Sequence, residues 1–191
     1  MKNWVEHENS CLDKAKDDIE FFMERANTFW KQDFSMDNVR SLWHSLNVTG
    51  GSIELKFDDL STLVHDIGVF FAFVMFHTSD IKLGYVGYSR DNLIDVVGEV
   101  LKHVADHQIN PTKDLFTKNY TRLLKLNNGS CIRSCDYEQT KSSIRGFTFN
   151  MFVFKGGKHL FEKEHQCLAP CVDALRCMEP SKTNKIIYIR L

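Results

Sequence analysis

The sequence predicts an α+β fold with a mostly antiparallel sheet of about seven strands. Two N-terminal helices, one central helix and a short C-terminal helix pack on this sheet. Two patterns support the fold class: apolar residues recur at helical spacing over about 11–32 and 90–108, and turn residues such as Asn128-Gly129 separate short apolar stretches. With 191 residues, 43% of them hydrophobic, we expect a single domain over 1–191. A subdivision near residue 110 is the alternative.

The helices follow from apolar spacing and from capping residues. Over about 11–32 the apolar residues share one face of an amphipathic helix. A second helix begins at Ser35, whose hydroxyl is a typical N-cap, and ends at Gly50-Gly51. The stripe over about 90–108 predicts the central helix.

The segments between these helices predict strands of a meander. Ser52–Phe57 alternates apolar and polar residues, which indicates a half-buried strand. Leu60–His65 is a weaker strand. Val69–Phe76 has no polar face, so we expect a strand that is covered on both sides. Ile81–Tyr88 continues the meander as the next strand.

Two hairpins are predicted in the C-terminal half. Tyr120–Asn127 and Ser130–Tyr137 flank Asn128-Gly129, a dipeptide typical of tight hairpin turns. Ile144–Lys155 is expected to pair with Lys158–Phe161 across a Gly-Gly turn. Both hairpins would be antiparallel units.

The chain is expected to end with a short helix and a strand. Pro170 suits the first turn of a helix that runs to about Met178. Lys185–Leu191 is rich in β-branched residues and predicts a final strand.

The charges are unevenly distributed along the chain. Residues 1–95 carry 9 Lys and Arg against 16 Asp and Glu, a balance of −7, while residues 96–191 carry 15 against 9, a balance of +6. Mutual neutralisation of the two halves is the favoured interpretation. A positive surface that faces a partner is the alternative.

The sequence favours a cytoplasmic protein with no membrane association. Its longest apolar run, Ile67–Phe76, is too short to span a bilayer, and the first residues lack the pattern of a secretory signal. We therefore expect free thiols in a reducing compartment. Six cysteines and three glycosylation sequons, at Asn47, Asn119 and Asn128, support the alternative of a secreted protein whose leader has been removed.

Four of the cysteines form two pairs of equal spacing, Cys131-x₃-Cys135 and Cys167-x₃-Cys171. Structural zinc, disulfides and packed thiols are the three interpretations. Zinc is disfavoured for the first pair, because on a strand its members would lie about 13 Å apart at about 3.3 Å per residue.

Two histidines of the central helix are candidate metal ligands. His103 and His107 lie one helical turn apart, a spacing at which two imidazoles can share a metal ion. Together with Asp106 they form a segment that distantly resembles the HxxEH pattern of inverted zinc peptidases, and the resemblance implies a metal-dependent hydrolase. Cys171, close in sequence to His165, is the candidate nucleophile of a thiol hydrolase. Packed histidines and an inert thiol are the alternatives.

The stretch RGFTFNMF over 145–152 resembles the RNP1 strand of the RNA-recognition motif. The resemblance implies binding of RNA or single-stranded nucleic acid, with exposed rings that stack on bases and basic residues that contact phosphates. Packing of the same rings in the core is the alternative. The residues that would bind nucleic acid are Lys118, Arg122, Arg145, Phe147 and Phe149.

The leading functional hypothesis is a non-enzymatic binding or regulatory domain that recognises a protein partner or a small ligand. The sequence contains no Gly-rich phosphate loop, serine elbow or kinase motif set, so we expect no cofactor, and enzymatic activity is disfavoured but left open. Nucleic-acid binding and a metal- or thiol-dependent hydrolase are the alternatives.

Overall fold

The computed structural model describes residues 2–48, 51–87, 91–105, 116–120, 123–136, 149–156 and 185–191. Its helices are α1 Lys2–Asp17, α2 Ile19–Phe29, α3 Met36–Ser45, α4 Leu63–His77 and α5 Leu93–Ala105. Its strands are β1 Ser52–Lys56, β2 Lys82–Gly87, β3 Phe116–Tyr120, β4 Leu123–Leu126, β5 Cys131–Asp136, β6 Met151–Lys155 and β7 Lys185–Arg190.

The strands form one mixed sheet in the order β1-β7-β6-β2-β5-β4-β3. Neighbours from β1 to β5 in this order are parallel, and only the pairs β5-β4 and β4-β3 are antiparallel. The prediction of a mostly antiparallel α+β fold is therefore wrong, and the chain has an α/β fold. Parallel neighbours need long crossover connections rather than tight turns, and the local turn signals say nothing about such crossovers.

The largest error of the sequence analysis concerns Val69–Phe76, which is helical. It lies within α4, which begins at Leu63 and so also includes the second half of the predicted weak strand Leu60–His65. Every residue from Asp66 to Met75 is buried, because neighbouring helices and the sheet surround α4. A helix that is enclosed in this way loses its polar face, so its sequence cannot be distinguished by periodicity from a strand covered on both sides.

The N-terminal helix of about 11–32 is also revised, because the chain forms two helices that meet at Asp18. This residue has an extended backbone, and its carboxylate accepts hydrogen bonds from the amides of Glu20 and Phe21 at 2.9 and 3.3 Å. It therefore caps α2. The predicted cap of α3 is confirmed, since the Ser35 hydroxyl accepts from the Asn38 amide at 3.2 Å.

In the C-terminal half, β6 does not form the predicted hairpin with Lys158–Phe161. Its partners are β2 and β7, and both pairings are parallel. The hairpin around Asn128-Gly129 is confirmed, with β4 antiparallel to β5 and Gly129 at φ 88°. The final strand is confirmed as β7. The predicted helix from Pro170 to Met178 and the segment Lys158–Phe161 lie outside the described residues.

Both faces of the central strands are buried. On one face Leu83, Val153 and Ile187 contribute to the core that the sheet shares with the helices. On the other face Phe154 and Tyr188 are buried with ring centroids 6.0 Å apart. Burial on two sides explains why β6 is almost entirely apolar.

Within the described ranges, no helix combines the length and the apolar character that a membrane crossing requires.

Candidate functional site

The chain reverses its direction of growth across the sheet at β2. After β2 it builds β3, β4 and β5 on one side, and it then crosses to add β6 and β7 on the other side. The boundary between β2 and β6 is thus a topological switch point, where the connections leave the two strands in opposite directions. In open α/β sheets, ligands bind in the crevice outside the carboxyl ends of the strands at such a point.

Three polar side chains meet at the carboxyl ends of β2 and β6. The Tyr85 hydroxyl on β2 donates to Oδ2 of Asp91 at 2.7 Å, and Asp91 lies on the connection between β2 and α5. Nζ of Lys155, the last residue of β6, donates to Oδ1 of the same carboxylate at 2.8 Å. The side chains of Lys155 and Asp91 are only 13% and 5% exposed. The ion pair is therefore largely removed from water, which weakens screening and strengthens its electrostatic interaction.

Gly87, the last residue of β2, provides the space for this cluster. A Cβ atom at Gly87 would lie 2.3 Å from the Tyr85 hydroxyl and 2.4 Å from Oδ2 of Asp91. The parallel register of β2 and β6 pairs Val86 with Phe154, so its continuation places Gly87 beside Lys155. A side chain at Gly87 would thus displace the groups that orient Lys155.

Helix α5 begins at Leu93, two residues after Asp91. Asn92 has a left-handed backbone with φ 46°, and its carbonyl accepts from the amides of Asp95 and Val96 at 3.0 and 3.2 Å. The N-terminus of an α-helix carries a partial positive charge of about half an elementary charge. The carboxyl end of the sheet near the switch point therefore combines this helix dipole with the ammonium of Lys155 and the carboxylate of Asp91.

The candidate metal ligand His103 lies on α5 in another environment. Its Nε2 is 3.5 Å from Oε2 of Glu99, one turn earlier on the same helix. No group of three or more His, Cys, Asp or Glu able to hold a metal ion occurs among the residues that the structure describes. The second candidate ligand, His107, lies outside those residues.

Of the five residues predicted to bind nucleic acid, Phe149 is the one whose side chain the structure describes. Phe149 is 2% exposed, and its ring packs on Phe152 with centroids 5.7 Å apart. Lys118 lies on β3, where only the backbone is described. The described part of the chain leaves out Arg122, Arg145 and Phe147.

Cys131 belongs to the predicted pair Cys131-x₃-Cys135, and of the two its side chain is the one that the structure describes. It begins β5 as a free thiol, and burial raises the pKa of this thiol from its usual value. A raised thiol pKa opposes the thiolate form that nucleophilic or metal-binding cysteines need. The other candidate residues of a thiol hydrolase, Cys171 and His165, are not in the described ranges.

Sequence reasoning missed Tyr85, Asp91 and Lys155. Each is an ordinary residue in its local pattern, and no short motif connects positions as distant as 85 and 155. The available signal was limited: a lysine ends the apolar stretch of β6, and a polar segment follows β2. The topology of the sheet was needed to bring these residues together.

No family model and no curated protein matches this sequence. Among solved structures, the chain is similar to the large terminase ATPase domain of Thermus phage P74-26, with 11% identity and a TM-score of 0.45, over 73% of this chain and 58% of that one. A mutant of the same domain gives 11% identity and a TM-score of 0.48, over 83% and 65% of the two chains. This chain thus spans less than two thirds of the length of both structures.

These findings correct the functional expectations. The leading hypothesis of a non-enzymatic binding or regulatory domain finds no support in these comparisons, where the similar solved structures are ATPase domains. The RNA-binding alternative is also wrong, because β6 is an interior strand with both faces buried and Phe149 is not exposed. The metal- or thiol-dependent hydrolase is not supported either: the described residues contain no metal-binding group, and the candidates His107, Cys171 and His165 lie outside the described ranges.

Proposed function

We propose that this chain is a nucleotide-binding domain and that its ligand lies outside the carboxyl ends of β2 and β6. The buried ion pair between Lys155 and Asp91 at the topological switch point is the observation that carries the proposal. Ligands of open α/β sheets, nucleotides among them, bind at this position of the fold.

The charges at this edge match a phosphate chain with its magnesium ion. An ammonium such as that of Lys155 binds phosphate oxygens, and a carboxylate such as that of Asp91 is a ligand that Mg²⁺ prefers. The partial positive charge at the start of α5 adds to the attraction for phosphate. The adjacent ammonium and carboxylate therefore favour a ligand that carries both negative and positive charge, such as a phosphate chain with its magnesium ion.

The Tyr85 hydroxyl acts on Asp91 rather than on the ligand. Its hydrogen bond at 2.7 Å holds Oδ2, which leaves Oδ1 directed at Lys155. We therefore assign Tyr85 as a positioning residue for the carboxylate. Gly87 has a related role, because its missing side chain permits this approach.

The test is a titration of the purified chain with MgATP, in which binding is measured by calorimetry. We expect saturable binding that Lys155→Met weakens about ten- to hundredfold, since a hydrogen bond to a charged group contributes about 1.5–3 kcal/mol. Lys102→Met is the matched control, because Lys102 is exposed on α5 and its replacement should leave the affinity unchanged. Equal affinities of wild type and Lys155→Met would refute the proposal.

Two further variants separate loss of binding from loss of folding. The double variant Asp91→Asn with Lys155→Met removes both buried charges, so it should stay folded by circular dichroism and still bind MgATP weakly. Asp91→Asn alone should weaken binding in Mg²⁺ more than binding in EDTA. An unchanged affinity of the folded double variant would contradict the assigned role of Lys155.

A further inference from the structure

The charge of Lys155 is matched by a carboxylate at contact distance. Its Nζ lies 2.8 Å from Oδ1 of Asp91, and the two side chains are only 13% and 5% exposed. The pair as a whole carries no net charge, and its carboxylate repels the phosphate oxygens that its ammonium attracts. In this arrangement the pair offers little net attraction to a nucleotide that carries no metal ion.

The two members of the pair differ in how firmly they are held. The Tyr85 hydroxyl donates to Oδ2 of Asp91 at 2.7 Å, and the missing side chain of Gly87 leaves room for this contact. The ammonium of Lys155 is carried by a flexible four-carbon stem with three rotatable donors. The ammonium is therefore the member that can turn towards a ligand while the carboxylate stays in place.

A magnesium ion offers Asp91 a second partner. Mg²⁺ takes oxygen ligands and is usually bound by one or two carboxylates together with the phosphates of its substrate. The Asp91 oxygen that accepts from Lys155 is Oδ1, whereas Tyr85 holds Oδ2. If Oδ1 binds the metal, the charge of Asp91 is balanced by the ion, and the ammonium of Lys155 can bind the phosphate chain.

We propose that Asp91 is a magnesium-dependent switch of the nucleotide site. Without Mg²⁺ its carboxylate pairs with Lys155 and disfavours metal-free ATP. With MgATP the carboxylate exchanges the ammonium for the metal, and Lys155 binds phosphate. This inference rests on the proposed nucleotide function, and it adds that the site discriminates between MgATP and ATP alone.

Calorimetric titrations with ATP in Mg²⁺ and in EDTA measure this discrimination. We expect wild type to bind about tenfold or more tightly in Mg²⁺ than in EDTA. Asp91→Asn keeps an oxygen for the Tyr85 hydrogen bond but removes the charge that repels phosphate. In EDTA this variant should therefore bind ATP about tenfold more tightly than wild type, whereas in Mg²⁺ it should bind more weakly. The effect of the substitution thus changes sign between the two solutions.

Asp95→Asn is the matched control for this variant. It removes the same charge from the first turn of α5, but at an exposed position. The control should keep the wild-type preference for Mg²⁺. The switch would be overturned if Asp91→Asn changed the affinity in the same direction in both solutions, or if Asp95→Asn reproduced its effect.

A second measurement uses the wild-type chain, so it does not depend on the folding of a variant. Hexaamminecobalt(III) neutralises charge on ATP as Mg²⁺ does, but its tightly held ammonia ligands leave no position for a carboxylate oxygen. ATP with this ion should bind about tenfold or more weakly than MgATP. Equal affinities would show that neutralising the nucleotide is sufficient, and they would refute the exchange at Asp91.

The outcomes distinguish failure of the switch from failure of the nucleotide site. If wild type binds ATP in neither solution, or if Lys155→Met binds MgATP as tightly as wild type, the proposed nucleotide function fails and the switch fails with it. If binding depends on Lys155 but is equally tight in Mg²⁺ and in EDTA, the nucleotide site is retained and the switch alone is refuted.

Discussion

Replacing two helix glycines with alanine should change the stability of the chain by different amounts if α4 and α5 pack as the structure shows. Gly68 lies inside α4, and a Cβ atom there would be 2.3 Å from Cγ1 of Val96 on α5. Gly98 lies inside α5, and a Cβ atom there would meet nothing within 4 Å. Both positions are helical, so the backbone contribution of the substitution is similar at the two sites.

The magnitude follows from two opposing contributions. Glycine to alanine in a helix interior stabilises by about 1 kcal/mol, and Gly98→Ala should gain approximately this amount. Gly68→Ala gains the same amount but overpacks the contact with Val96, which costs about 1–3 kcal/mol. The free energies of unfolding of the two variants should therefore differ by about 1–3 kcal/mol, with Gly68→Ala the less stable.

Urea denaturation, monitored by circular dichroism, measures the difference in the free energy of unfolding between the two variants. In the background of Val96→Ala, the substitution Gly68→Ala should lose most of its packing penalty, because the Cγ1 methyl group that lies 2.3 Å from the added Cβ atom is gone. A double-mutant cycle isolates this coupling between neighbouring side chains. If Gly68→Ala stabilises the wild-type chain as much as Gly98→Ala does, the close packing of α4 on α5 is refuted.

The remaining predictions concern buried polar groups. Lys155→Met alone should destabilise the fold by about 3–5 kcal/mol, because it removes the ammonium that pairs with the buried Asp91 carboxylate. The double variant with Asp91→Asn should be more stable than Lys155→Met in urea denaturation, and a double variant of lower stability would contradict this. Burial raises the pKa of Asp66, although hydrogen bonds from Asn38, Ser35 and Thr62 lower it. Its stabilising contribution is thus complete below the ordinary pKa of 3.8 and is lost as the pH rises through the folded-state pKa. Unfolding at several pH values should therefore show wild type losing stability relative to Asp66→Asn as the pH rises through that range, and a constant difference would refute it. Because burial also raises the pKa of Cys131, peptide-resolved alkylation at neutral pH should modify this thiol more slowly in the native chain than in urea, whereas equal rates would contradict it.

The sequence was informative where local chemistry determines the structure. α5 has one apolar stripe because only one side of it faces the core, and its periodicity was sufficient to predict it. The Asn128-Gly129 turn was predictable because a tight hairpin needs a residue with positive φ, and Gly129 has it. The Ser35 cap is a similar local feature.

The sequence was misleading where long-range packing determines the structure. α4 is surrounded, so its burial removed the polar face that would have indicated a helix. The partners of β6 are β2 and β7, which lie far from it along the chain, and no turn signal encodes these parallel pairings. The fold class depended on these two elements.

The candidate site could not be derived from local patterns for the same reason. Asp91 and Lys155 are brought together only by the parallel pairing of β2 and β6, so their contact is a consequence of topology. The alternating rings of β6 had the pattern of an RNA-binding strand, but a strand buried on two sides produces the same pattern. Only the burial of Phe149 and the neighbouring strands distinguishes the two cases.

The most direct test of the proposed nucleotide site is an NMR titration of the ¹⁵N-labelled chain with MgATP. Gly87 and Gly156 lie at the carboxyl ends of β2 and β6. Gly129 lies beside Asp80, at the end of the sheet where β2 begins. The amide resonances of Gly87 and Gly156 should shift in a saturable manner while that of Gly129 remains in place. Shifts at Gly129 alone, or no shift at any of the three glycines, would contradict a nucleotide site at the ends of β2 and β6.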